Sequence, residues 1–223
     1  MGVSGQSITG GSLTDGQSFM GLSGFEDDFI SVGAFNAALN VTPWVISPTG
    51  GVAAVLGEEN GVIVMTSGTG SNCQITKPTT AFRLNYGKRL WLGARINVQD
   101  IDASSWFVGL STADTTIVDS LPASVVGFLN TEDDGTIDTI TQASSTASRD
   151  EQTADIFTAD NQWREFKVIW DGQGRLTYFV NGARRQLYTA NIPTRTALTF
   201  SIEIAAAAAD KLWVDFAYAY QER

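Results

Sequence analysis

From Phe25 to Tyr220 the sequence is a succession of short apolar runs, rich in Val, Ile, Thr and aromatic residues and cut every few residues by Gly, Pro, Asn or Asp. No stretch sustains the 3.6-residue repeat of an amphipathic helix, whereas period-2 alternation recurs, so the chain is constrained to β structure. Fourteen strands are predicted, over residues 25–30, 51–56, 61–66, 72–76, 80–86, 89–98, 105–111, 124–130, 136–142, 154–159, 163–170, 175–181, 196–204 and 212–220. So many short strands imply an all-β, two-sheet antiparallel sandwich. In the last strand Leu212, Val214, Phe216, Tyr218 and Tyr220 form the expected core face, and Lys211, Trp213, Asp215, Ala217 and Ala219 the opposite one. In residues 89–98 the core set is Leu90, Leu92, Ala94, Ile96 and Val98, which leaves Trp91 and Arg95 outside. Ala205 to Ala209 reads as a tight connector of small residues, despite alanine's helix propensity, because strong strands flank it.

Residues 1–24 have a different composition, with seven glycines and seven Ser or Thr. Such a segment cannot bury enough surface to order itself, so an N-terminal arm (1–24) is expected to precede one domain (25–223). Phe19, Met20 and Leu22 are its candidate anchors on another surface. No basic start with a continuous apolar core is present, and no run approaches the roughly 18 apolar residues of a membrane span. Neither a secretion signal nor a membrane partner is therefore expected.

The absence of His removes Ser/His/Asp triads and imidazole metal sites. Cys73, the only cysteine, reads as a small buried apolar residue and cannot form an intrachain disulfide. A net charge of −10 and a pI near 4.3 disfavour nucleic acid. Glu132, Asp133, Asp134 and Asp138 crowd a glycine turn and could collect calcium, although they lack the EF-hand spacing and an acidic β-turn accounts for them; no other cofactor is expected. Asp100 and Asp102 read as a loop, and Glu58-Glu59 as a solvated turn. Trp91, Trp106 and Trp213, with Arg95, could form a platform for sugar rings or lie under a neighbouring segment or subunit. The adjacent basic pairs Lys88-Arg89 and Arg184-Arg185 suit solvated turns or ion-pair contacts.

The most distinctive segment runs from Asn161 to Gly182, in which Trp163 opens a strand, Asp171 to Gly174 supply turn chemistry, and Leu176, Tyr178 and Val180 lead into Asn181-Gly182. Phe166, Val168 and Trp170 share a face with that second set. The segment resembles the concanavalin A-like, laminin-G-like jelly roll, and the resemblance implies that the first and last strands pair. Glycosidases of that fold carry alternating carboxylates on one strand, because alternate residues share a face and can bracket one glycosidic bond. Glu26-x-Asp28 and Glu132-x-Asp134 begin such a series, and neither supplies the third carboxylate.

In overall style the chain is also similar to structural proteins of tailed bacteriophages, which pair a Gly/Ser-rich arm with a jelly-roll body. With no His and no completed carboxylate series an enzyme is not expected, and that similarity implies a virion protein, a decoration or cement protein binding the major capsid protein and copies of itself as a homotrimer on the capsid surface. The alternative expectation is a carbohydrate-binding, lectin-like module of a phage fibre or adhesin that stacks glycan on Trp91 or Trp213.

Overall fold

The computed structural model describes residues 22–27, 44–48, 52–55, 61–67, 71–100, 102–114, 116–131, 135–144, 149–156, 160–206 and 210–223. Among the described residues there are fifteen strands: β1 (Leu22–Asp27), β2 (Val45–Pro48), β3 (Val52–Val55), β4 (Ile63–Thr66), β5 (Ser71–Phe82), β6 (Leu90–Val98), β7 (Ser104–Ser111), β8 (Val125–Asn130), β9 (Thr136–Gln142), β10 (Arg149–Ile156), β11 (Arg164–Trp170), β12 (Leu176–Val180), β13 (Ala183–Tyr188), β14 (Leu198–Ala206) and β15 (Lys211–Glu222). They form the expected jelly-roll sandwich of two antiparallel sheets. One has eight strands in the order β13-β12-β11-β6-β15-β4-β3, with β1 also paired to β15. The other has seven, β10-β9-β8-β7-β14-β5-β2.

The expected strands at 72–76 and 80–86 are one continuous β5, and β2 and β13 were not expected. Both lie at sheet edges, where a strand can form with few buried side chains; Ala183, Arg184 and Arg185 of β13 are all exposed. What forms β13 is the turn before it: Asn181 (φ 50°) and Gly182 (φ 75°) adopt the two left-handed conformations that a tight hairpin requires.

Alternation decides the core. Phe166, Val168 and Trp170 of β11 and Leu176, Tyr178 and Val180 of β12 are fully buried between the sheets. An aromatic series crosses the interior, Trp106 to Phe166 (5.3 Å), Phe166 to Phe128 (4.9 Å), Phe128 to Tyr178 (5.3 Å) and Tyr178 to Tyr188 (5.4 Å). The Tyr178 hydroxyl donates to the Ile140 carbonyl of the opposite sheet at 2.8 Å, so this ring is buried with its polar atom satisfied.

β15 departs from its expected alternation. Its pairing with β6 shifts register between Val214 and Phe216, and Asp215 is the extra residue. Leu212 and Val214 face the core, but beyond the bulge Ala217 and Ala219 do so, and Phe216, Tyr218 and Tyr220 are half-buried on the outer side. The inserted residue moves every later side chain to the opposite face. β14 extends through Ala206, so the alanine run begins inside a strand. The first and last strands pair as expected, from Leu22 opposite Glu222 to Asp27 opposite Ala217.

Candidate functional site

The bulge in β15 builds the most chemically varied surface among the described residues. Asp215, the bulge's extra residue, receives a hydrogen bond from Arg95 Nη1 of β6 at 2.6 Å, and the Arg95 guanidinium lies 5.0 Å from the Trp163 ring centroid. Trp213 sits opposite Asn97 of β6. Asn97 is only 9% exposed, and its Oδ1 is buried with no hydrogen-bond partner. Buried polar atoms are nearly always paired, so this oxygen, on the residue opposite Trp213, is an exception.

The same face continues along β6 and β15. Phe216 stacks on Tyr218 (6.3 Å between centroids, 24° between planes) and Tyr218 on Tyr220 (5.9 Å, 28°). Trp91 lies opposite Tyr220, with the Arg89 guanidinium 5.4 Å from its centroid. Arg89 is bridged at 2.8 Å to Glu222, whose carboxyl it holds below the usual range by hydrogen bonding and charge. Gly93 lies between the two ends: a Cβ there would meet the Tyr218 ring at 2.8 Å, so glycine lets that ring lie across β6. Trp91, Arg95 and Trp213 thus share one outer sheet face.

Trp106 does not join them. It is fully buried on the inner side of β7, tilted against Phe166, and the expectation that it belongs to an interface or stacking platform is corrected. Its strand runs Trp106, Val108, Leu110 on the core side, opposite Phe128 and Val126 of β8.

A second polar cluster lies on the outer side of the seven-stranded sheet. Glu203 of β14 is fully buried; Asn72 Nδ2 donates to its Oε1 at 2.7 Å, and Gln74 Nε2 and the Ile117 backbone N–H both donate to its Oε2 at 2.9 Å. Asn72 Nδ2 also donates to Asp119 at 3.0 Å, so one amide holds two carboxylates about 6 Å apart at most. Burial pushes the Glu203 carboxyl up to about 7 against the opposing effect of these hydrogen bonds. Ile117 reaches it from the connection between β7 and β8, and Ile117, Val118 and Leu121 pack with Phe107, Val125, Leu129 and Ile140.

Other expected residues are scattered. Leu22 opens β1, while Phe19 and Met20 lie outside the described residues. So do Glu132, Asp133 and Asp134; Asp138, on β9, accepts the Thr136 hydroxyl at 3.2 Å. Among the described residues no group of three or more His, Cys, Asp or Glu could hold a metal ion. Asp100 caps its own turn by accepting the Asp102 and Ala103 N–H groups. Cys73 is buried, and burial pushes its thiol up to about 12.

The sequence did not single out Asn97 or Glu203, and it named Trp163 only as opening a strand and Asp215 only as an outer-face residue. Glu203 carried a legible signal, a lone acid within the alternating Phe200, Ile202, Ile204 strand. Asn97 had one too, as the polar residue two places beyond Arg95. Alternation placed Asp215 on the outer face, but nothing in the sequence marked its pairing with Arg95.

No family model and no curated protein matches the sequence. Solved structures do match. A non-specific endo-β-1,3(4)-glucanase of family GH16 shares the fold with a TM-score of 0.66 at 13% identity, over 92% of this chain and 92% of that one. An endo-1,3-β-glucanase from Streptomyces sioyaensis gives 0.63 at 15% identity, over 92% and 98%. A carbohydrate esterase from the Shiga toxin-encoding bacteriophage phi24B gives 0.52 at 14%, over 78% and 89%. These matches overturn the expectation of a chain with no enzymatic role, since endo-glucanases, which are enzymes, adopt this fold. That expectation rested on missing His and on carboxylate series within single strands, whereas carboxylate chemistry needs no imidazole and the structure brings Glu203 and Asp119, from separate elements, to one shared Asn72 amide. The expected capsid role finds no support in these comparisons.

Proposed function

We propose that this chain is a carbohydrate-active β-sandwich that binds a β-1,3-linked glucan on the outer face of its eight-stranded sheet, at Trp213, Asn97, Trp163 and the Arg95–Asp215 pair. The reading is supported by jelly-roll neighbours named for action on carbohydrates, two of them on β-1,3 linkages. The observation that carries it is the Arg95 guanidinium, paired to Asp215 and lying over the Trp163 ring on the same outer face as Trp213. A pyranose ring offers an apolar face of C–H groups to an indole and a rim of hydroxyls that both donate and accept. Aromatic planes flanking a few convergent polar groups suit it. Arg95 donates to the ring hydroxyls and Asp215 accepts from them.

Calorimetric titration with soluble β-1,3-glucan tests the proposal, with reducing-sugar release followed in the same samples to learn whether bound glucan is also cut. Trp213→Ala and Arg95→Ala are expected to weaken binding about tenfold each, the scale of one lost aromatic or charge-assisted contact. Absence of binding by the wild-type chain, or wild-type affinity in both variants, refutes the assignment.

A further inference from the structure

The face that carries this site does not end there, and its far end repeats the same equipment. At one end the Arg95 guanidinium lies over the Trp163 ring and is paired to Asp215. At the other the Arg89 guanidinium lies over the Trp91 ring and is paired to Glu222. Each end therefore presents an indole, a five-donor guanidinium and a carboxylate acceptor, the set a hydroxyl-rich ring can use. Both arginines project from the β6 line, and at roughly 3.4 Å per residue they stand about 20 Å apart. That is too far for one sugar ring to touch both, and it matches several rings linked in line.

The ground between the ends is a track. Beyond the bulge, successive outward residues of β15 are aromatic and stack in one continuous row with nearly parallel planes, Phe216 to Tyr218 at 24° and Tyr218 to Tyr220 at 28°. Gly93 lets Tyr218 lie across β6 midway, where any side chain would lift the ring. Lys167 lies opposite Gly93 on the other flank, 5.9 Å from the Phe179 centroid.

Resting on the carbohydrate reading above, we infer that this face reads its ligand lengthwise: Trp91 and Arg89 form a second, remote subsite, and the ligand is a linear polysaccharide segment spanning both Arg–indole–carboxylate sets. The Arg95 end binds a short oligomer by itself. The Arg89 end engages only when the chain is long enough to reach it, and then adds its affinity without a second loss of translational freedom.

The test is a calorimetric series of β-1,3-linked gluco-oligosaccharides from disaccharide to octasaccharide, on wild type, Trp91→Ala and Arg89→Ala. Arg89 is largely exposed, its side chain 59% accessible, so its variant reports on the subsite without disturbing packing, and circular dichroism verifies the fold of each protein. Wild-type affinity is expected to climb with length and level off once the ligand spans the track. Both variants are expected to bind the disaccharide as wild type does and the octasaccharide about tenfold more weakly. Affinity independent of length, or variants that weaken short and long ligands equally, would overturn the lengthwise reading and leave the Trp213 site standing. Failure of every oligomer to bind wild type would instead overturn the carbohydrate reading, and this inference with it.

Discussion

At Glu203 the cost of desolvating a carboxylate competes with hydrogen bonds from Asn72, Gln74 and the Ile117 and Val118 N–H groups, and desolvation prevails, leaving the acid at about 7. The other titratable groups facing it are Asp119, which shares the Asn72 amide, and the Cys73 thiol. The sign of the pH effect follows. With a carboxyl raised from 4.5 in the unfolded chain to about 7 in the folded one, the folded state holds the proton more tightly. The stabilisation is complete below about 4.5 and is lost as pH rises through about 7, on the order of 3 kcal/mol across that window. Glu203→Gln is expected to flatten this dependence, with urea midpoints at pH 5 and pH 8 converging relative to wild type. An unchanged difference between the two midpoints would assign the titration elsewhere.

Among the elements, β15 shows how one residue divides a strand into two regimes. Before Asp215, alternation points Leu212 and Val214 inward; after it, the small Ala217 and Ala219 take the interior and the large rings go outside. Trp170→Ala is therefore expected to cost about 3–5 kcal/mol, as for a fully buried aromatic, and Phe216→Ala less than half of that. Equal shifts in the urea midpoint would return Phe216 to the core. The hairpin of β11 and β12 was legible because all its cues agreed: Phe166, Val168 and Trp170 alternate, Asp171 and Gly174 turn the chain, and Asn181-Gly182 turns it again. β15 was misread because Phe216, Tyr218 and Tyr220 continue the apolar alternation of Leu212 and Val214, and nothing local in the sequence marks a bulge. The site was half legible for the same reason: Trp91 and Arg95 follow from the regular alternation of β6, whereas Asp215 and Trp163 reach Arg95 only through cross-strand placement.

On the scale of the whole molecule, β1 and the end of β15 close the eight-stranded sheet as one antiparallel ladder, with Leu22 against Glu222 at one end and Asp27 against Ala217 at the other. That arrangement fixes how the sandwich answers to force. A load applied between residues 22 and 222 enters the ladder at a single end, so its hydrogen bonds are strained one after another and the strand peels away like a zip. Were the two strands parallel, the same load would shear all the bonds together. In single-molecule pulling across these two positions, β1 is expected to detach in an early low-force event before the body yields at higher force, whereas a handle moved from residue 222 to residue 217 loads the ladder in shear and removes that first event. A protein tethered through this corner would give way at its first strand while the aromatic face of β6 stayed in place.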